Sequence, residues 1–203
     1  FDAEGRIAGE YDKRHLVIFG EFIPFARWIP ARWQAALGLP ESISAGEEGS
    51  IFLAGKGDVP LAPLICFEDM LAELARADVR AGARLLVNIT NDAWFDERVA
   101  PRQHMLNAVF RAVENRVPMV RAANTGVTCA IDPSGRATAY LSDGAGRTSG
   151  PGVLWADVPV PDDAAPLTFY ARFGDMYGIA CAAATILWLA RSLGKRRKTP
   201  QAV

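Results

Sequence analysis

Cys66 stands in the stretch Pro-Leu-Ile-Cys-Phe-Glu-Asp, where an apolar run of buried-strand type gives way to sequence that suits a helix. A thiol at such a turn faces unpaired backbone N–H groups and the positive end of a helix dipole. Both lower its pKa, and both can hold an oxyanion. On that evidence alone the bland reading wins, because free cysteines are mostly inert packing. Cys129, in a strand, and Cys181, in an apolar tail, are read that way. Two further segments change the weighing: Tyr11-Asp-Lys-Arg-His-Leu16 and Phe19-Gly-Glu-Phe-Ile-Pro24, with Lys13 eight residues ahead of Glu21. Core packing does not require that pattern. A lysine beside a thiolate stabilises it and then the negative tetrahedral intermediate, while carboxylates such as Glu21 and Glu68 can take a proton or hold the lysine.

The elements that must carry these groups follow from periodicity and turn residues. Leu61–Cys66 and Leu85–Thr90 read as buried strands joined through a helix over Glu68–Ala81, with Met70, Leu71, Leu74 and Val79 on its apolar face. Pro101–Asn115 reads as a second helix with Met105, Leu106, Val109, Phe110 and Val113 on one side. Val117–Ala123 and Val127–Asp132 read as further strands. Asp2-Ala-Glu-Gly-Arg6 and Asp132-Pro-Ser-Gly-Arg136 are matching hairpin signals, each with Gly where positive φ is needed. Such alternation argues an α/β layered fold. Asn88, Asn91 and Asp92 lack a suitably spaced His or second carboxylate for a metal, so they are assigned to turn and strand-end hydrogen bonding. Glu114 and Asn115 are read as solvated or capping groups.

The chain has 203 residues, 22 Lys+Arg against 23 Asp+Glu, a net charge of -1 and 50% hydrophobic residues. Intrinsic disorder and a polycation for nucleic acid are excluded. Three cysteines are too few and too scattered for a disulfide scaffold. The last segment differs from the rest: Met176 to Ala190 carries no charge, and Lys195, Arg196, Arg197 and Lys198 follow. A membrane helix over 175–193 with a basic cytoplasmic tail over 194–203 is favoured over a buried core helix. Phe22–Ile51 interleaves Phe25, Trp28, Ile29 and Trp33 with Arg27 and Arg32. It is either a segment lying at a lipid headgroup surface or a lid packing its own aromatic residues over the core.

Lys13, Cys66-Phe-Glu68, the string His15-Leu-Val-Ile-Phe-Gly-Glu-Phe-Ile-Pro24 and the string Asn88-Ile-Thr-Asn-Asp-Ala-Trp-Phe95 together resemble the nitrilase superfamily and, within it, the membrane-bound apolipoprotein N-acyltransferase family. The likeness runs from Phe1 to about Pro161, and the tail resembles that family's last transmembrane helix. The resemblance implies a nitrilase-like αββα sandwich, present here in part over 1–161, a linker over 162–174 and one C-terminal transmembrane helix. It implies a Glu-Lys-Cys triad with Cys66 as nucleophile and Lys13 as its cation. The general-base Glu is expected upstream of this chain, which would leave the fragment inactive. Glu21 and Glu68 match the family's supporting glutamates, and Pro24 matches its motif proline. Phe67 and Trp94 join Pro24 as expected substrate-binding residues, and Trp28 is added to them from the aromatic segment. His15 becomes a scaffold residue on the lysine strand. Ile18 departs from the family's usual Pro, and Phe67 from a frequent Tyr. The implied activity moves a fatty acyl chain from a phospholipid donor to the N-terminal amine of a diacylglyceryl apolipoprotein acceptor. It needs no cofactor and no metal, and is expected of a monomer in the bacterial inner membrane with its catalytic domain periplasmic. A soluble amidase acting on a small C–N substrate, and an inactive membrane-anchored scaffold, are the rivals.

Overall fold

The computed structural model describes residues 4–36, 43–55, 57–94, 99–142, 151–162 and 165–196. Phe1–Ala3, Leu37, Leu39, Phe95 and the end of the basic tail lie outside the described residues. The β-branched and leucine runs form strands as their pattern requires: β1 (Phe52–Ala54), β2 (Val59–Ile65), β3 (Leu85–Thr90), β4 (Met119–Ala123), β5 (Cys129–Ile131) and β6 (Ala137–Tyr140). They make a six-stranded sheet in chain order. β2, β3 and β4 run parallel, and the outer pairs are antiparallel. The α-helices among the described residues are α1 (Ala31–Ala36), α2 (Ala72–Arg80), α3 (Ala100–Asn115), α4 (Phe169–Phe173) and α5 (Met176–Arg196).

Register decides which face of the sheet is buried. Ala62 pairs with Leu86, Leu86 with Met119 and Met119 with Ile131, so these side chains share one face. They form the core with Leu64, Cys129, Ala75 and Val79 of α2, and Ala108 and Ala112 of α3. The other face is less covered: Ile89, one residue out of phase with Asn88 and Thr90, is 56% exposed. The described residues thus supply one sheet with its helical layer, the α/β half of the expected sandwich.

The predicted strand-helix-strand unit around Cys66 is present, with one correction. Cys66–Met70 is a short 3-10 helix, Leu71 is extended, and the α-helix begins only at Ala72. A second correction concerns α3. Leu106, Phe110 and Val113, expected inward, are exposed, whereas Pro101, His104, Ala108, Arg111, Ala112 and Asn115 are buried. Small alanines let the helix approach the sheet, His104 and Arg111 find partners on the neighbouring Asp69 and Asp92 turns, and of the expected stripe only Met105 and Val109 pack against the core.

The Asp132 hairpin between β5 and β6 forms as expected. Gly135 has φ 85, and Asp132 Oδ1 accepts bonds from Ser134 N, Ser134 Oγ and Arg136 N. The first hairpin signal does not become a strand pair among the described residues: Gly5 has φ 79, but residues 6–13 form no strand. Lys13 is therefore held by other means. Residues 165–174, expected as a connection, contain α4, which docks on α2 and α3. Arg76 donates to the carbonyls of Tyr170, Ala171 and Arg172, and Thr168 Oγ1 donates to Glu114 O. α5 follows after Gly174 and Asp175. Its Met176–Leu193 stretch is long and apolar enough to cross a membrane, and none of it is buried.

Candidate active site

Cys66 leaves β2 in the left-handed backbone region, with φ 52. For a residue with a Cβ that conformation costs about 1–3 kcal/mol and persists only where the surroundings over-determine it. Asn88 Nδ2 donates to Cys66 O at 3.0 Å, fixing the turn from β3. Glu68 fixes it from within: its Oε2 accepts from Ile65 N at 2.7 Å. The sulfur is free and partly exposed. Because the turn opens only a five-residue 3-10 helix, the helix-dipole contribution expected at Cys66 is small; the strained turn is what presents the thiol.

Lys13 is positioned by a polar clamp rather than by a strand. Glu68 is wholly buried and takes four donors: Tyr11 OH, Ile65 N, Arg14 N and His15 N. Arg14 forks onto both oxygens of Asp78 on α2 at 3.0 and 2.7 Å. Burial raises the Asp78 carboxyl and the Arg14 pairing opposes that rise; for Arg14, burial lowers the guanidinium, and the hydrogen bonds to Asp78 and Tyr11 with the charge of Asp78 together more than offset it. Tyr11 is likewise raised, first by burial and then by its bond to Glu68, so it stays a donor. Gly46 N closes the clamp on Lys13 O. The Lys13 ammonium then meets both oxygens of Glu21 at 2.7 Å, and Glu21 Oε2 also accepts from Val17 N.

A cavity of about 460 Å³ opens here. Cys66, Phe67, Glu21 and Trp94 line it, together with Val17, Met70 and a polar strip from α3, Gln103, His104 and Asn107. Lys13 and Glu68 are not among the lining residues; Lys13 stands behind the wall, bonded to Glu21. Phe67 also stacks on His15, with ring centroids 6.4 Å apart. Pro24 and Trp28 are not among the lining residues. Trp28 stacks on Phe25 and is 70% exposed, and Trp33 is exposed as well, so these aromatic residues do not close over the core as a lid would. Cys129 is buried, and burial pushes its thiol up to about 11, in keeping with a packing role.

Sequence reasoning missed the charged cluster behind the cavity. His104 Nδ1 lies 2.7 Å from Asp92 Oδ1, and Nε2 lies 2.8 Å from Asp69 Oδ1. Arg121, wholly buried on β4, pairs with the second oxygen of each carboxylate. Burial lowers His104, but hydrogen bonds to Asp69 and then Asp92 outweigh it and bring the pKa to about 9. Both ring nitrogens therefore donate at neutral pH, and two cations balance two carboxylates. Asn91 does make the turn expected of it, accepting from Ala93 N, but Asp92 belongs to this cluster. Two signals were available: an arginine inside the apolar strand Met119-Val-Arg-Ala-Ala123, and polar residues at 104, 111 and 115 among the alanines of one helix face. Among the described residues no group of His, Cys, Asp and Glu is arranged to hold a metal ion.

Residues 1–162 match the family model described as carbon-nitrogen hydrolase. The chain is 44% identical over 197 residues to an apolipoprotein N-acyltransferase of Geobacter metallireducens, and 38% identical over 205 residues to one of Bradyrhizobium diazoefficiens. In each case the match covers 96% of this chain and 35% of the relative, so the chain spans about a third of the length of those proteins. Among solved structures, Saccharomyces cerevisiae Nit3, of the nitrilase superfamily, superposes with a TM-score of 0.53 at 20% identity, over 74% of this chain and 48% of its own. An amidase from Nesterenkonia sp. AN1, NitN, gives a TM-score of 0.50 at 22% identity, over 73% and 51%. These two likenesses concern the fold.

Proposed function

The chain belongs to the carbon-nitrogen hydrolase family, and from that premise we propose that it is the catalytic part of a membrane-bound acyltransferase that N-acylates lipoproteins. The observation that carries the proposal is the partly exposed Cys66, on a strained turn, lining one cavity with the glutamate that holds Lys13. Cys66 attacks the acyl ester of a phospholipid: a C–S bond forms, the ester C–O bond breaks, and a lysophospholipid leaves with a proton. Lys13 stabilises the thiolate and the oxyanion, and Glu21 keeps the ammonium in place. The proton acceptor implied by the family resemblance is a glutamate ahead of Lys13, in the portion of the relatives outside the matched span. In the second half-reaction the α-amine of a diacylglyceryl-cysteine attacks the thioester. A C–N bond forms, the C–S bond breaks, and the amine loses a proton as the thiol is regained.

The apolar part of the cavity wall, Val17, Phe67, Met70 and Trp94, suits an acyl chain better than a small polar amide. The uncovered apolar α5 and the cations after it support an inner-membrane anchor with a cytoplasmic C-terminus and the catalytic domain on the opposite, periplasmic side. The relatives' names favour a lipoprotein acceptor over a soluble amide. The protein is proposed to act as a monomer, and the exposed Trp28 and Trp33, near Ile29, to meet the lipid headgroups on the substrates' path from the bilayer.

The test is acyl-thioester formation by the full-length protein in vesicles containing labelled phospholipid. A hydroxylamine-labile label on the wild type that is absent from Cys66→Ser is expected. Hydrolysis of soluble amides without any thioester from lipid would favour the amidase, and neither activity would favour a scaffold. Replacing Trp28, Ile29 and Trp33 together by Ser should slow turnover in vesicles; unchanged turnover discards the headgroup role.

A further inference from the structure

The turn that presents Cys66 is held by more than Glu68 and Asn88. Asp69, three residues after the thiol, sends its carboxylate into the buried cluster, where His104 Nε2 meets Oδ1 and Arg121 meets Oδ2. Arg111, on the same face of α3 as His104, donates to the carbonyls of Asp69 and Met70 at 3.3 and 3.1 Å. The other ring nitrogen of His104 meets Asp92, which also accepts from Thr90 Oγ1 and stands two residues before Trp94. One imidazole thus spans the two loops that form facing parts of the cavity wall, the one carrying Cys66 and Phe67 and the one carrying Trp94. The ring also lines the cavity itself.

We propose that His104 is a positioning residue: it clasps the Cys66 turn to the Trp94 turn and so sets the approach of an acyl carbonyl to the thiol. The inference rests on the reading of Cys66 as nucleophile, but adds a residue outside the lysine, cysteine and glutamate set. Among the described residues the ring pairs with Asp69 from the Cys66 turn and Asp92 just after β3, Arg121 from β4 completes the cluster, and Cys66 and Glu21 line the cavity that the ring also lines. Removing the ring leaves two buried carboxylates to one guanidinium. The Asp69 end of the turn then keeps only its Arg121 and Arg111 contacts and can shift, which misplaces the sulfur without emptying the apolar cavity. Turnover suffers more than binding, since a displacement on the order of 1 Å in a reacting atom can cost about 100-fold in rate.

The experiment uses the full-length protein in a background where Cys181 and any cysteine outside this chain are replaced by Ser, so that with Cys129 buried the alkylation of Cys66 by iodoacetamide can be read beside acyl transfer. His104→Gln should lower kcat by about 10- to 100-fold with KM held within about twofold, and should slow Cys66 alkylation. The double variant His104→Gln/Asp92→Asn restores charge balance, provides a folded species should the single variant unfold, and should recover part of kcat. Val79→Ala, a core truncation in α2, serves as a stability control and should leave alkylation unchanged at a comparable loss of Tm. Unchanged kcat and alkylation in both His104 variants overturn the proposal, as does Val79→Ala slowing alkylation equally. If the parent protein forms no thioester while alkylation still depends on His104, the acyltransferase reading fails and the clasp stands.

Discussion

Glu68→Gln is the substitution that most directly tests how Lys13 and Cys66 are held. The carboxylate is fully buried and its four partners, Tyr11 OH, Ile65 N, Arg14 N and His15 N, are all donors. A glutamine keeps the shape but turns one oxygen into an NH2 group, so two bonds are lost and two buried donors face another donor. At about 1.5–3 kcal/mol for each hydrogen bond to a charged group, the loss is about 3–6 kcal/mol. That is a large share of the ~5–15 kcal/mol by which a domain is stable. Equilibrium urea unfolding in detergent, followed by tryptophan fluorescence, measures it against Glu73→Gln, an exposed change on α2 expected to stay within about 0.5 kcal/mol. Thioester formation on the fraction that remains folded should fall as well, because Lys13 loses the anchor of its neighbours. Two variants with the same midpoint would refute the reasoning, since four converging donors could then not be what fixes the 11–15 segment.

Three further outcomes are expected. The folded-state pKa of His104, about 9, lies above its ordinary 6.5. The associated stability, about 3 kcal/mol, is thus full below pH 6.5 and lost as pH rises through 9; the difference in unfolding free energy between wild type and His104→Gln should shrink over that window and not below it. Arg76→Ala removes three bonds to the last carbonyls of α4 and should speed proteolysis around residues 165–175 while thioester formation persists. Gly126→Ala is strained at φ 107 and drives its Cβ into the Asp92 carboxylate. It should therefore lower Tm and slow Cys66 alkylation together, and an unchanged alkylation rate would separate Asp92 from the thiol.

The parts legible in the sequence are those governed by local rules. The runs at 59–65 and 85–90, the Asp132 turn and the uncharged tail each carry their own signal. Cys66, Phe67, Glu21 and Trp94, each within one of the motif strings, line one cavity. What the sequence hid is long-range polar pairing. Nothing near Lys13 indicates that Asp78, 65 residues later, forks onto its neighbour Arg14. In α3 the apolar stripe is the stronger signal, and the weaker one, histidine, arginine and asparagine among the alanines at 104–115, marks the inward face. Pro24, carried over by resemblance, and Trp28, taken from the aromatic segment, fall outside the cavity lining.

Only Gly174 and Asp175 separate α4, pinned to α2 by Arg76, from α5. Two residues give a leash of roughly 7 Å. With α5 seated in a bilayer, such a short joint denies the domain any excursion into bulk solution: it rides on the lipid surface and meets its substrates by lateral diffusion. Under the proposed acyl transfer, a carrier that collects one greasy chain and hands it to another membrane-bound molecule would search a plane instead of a volume.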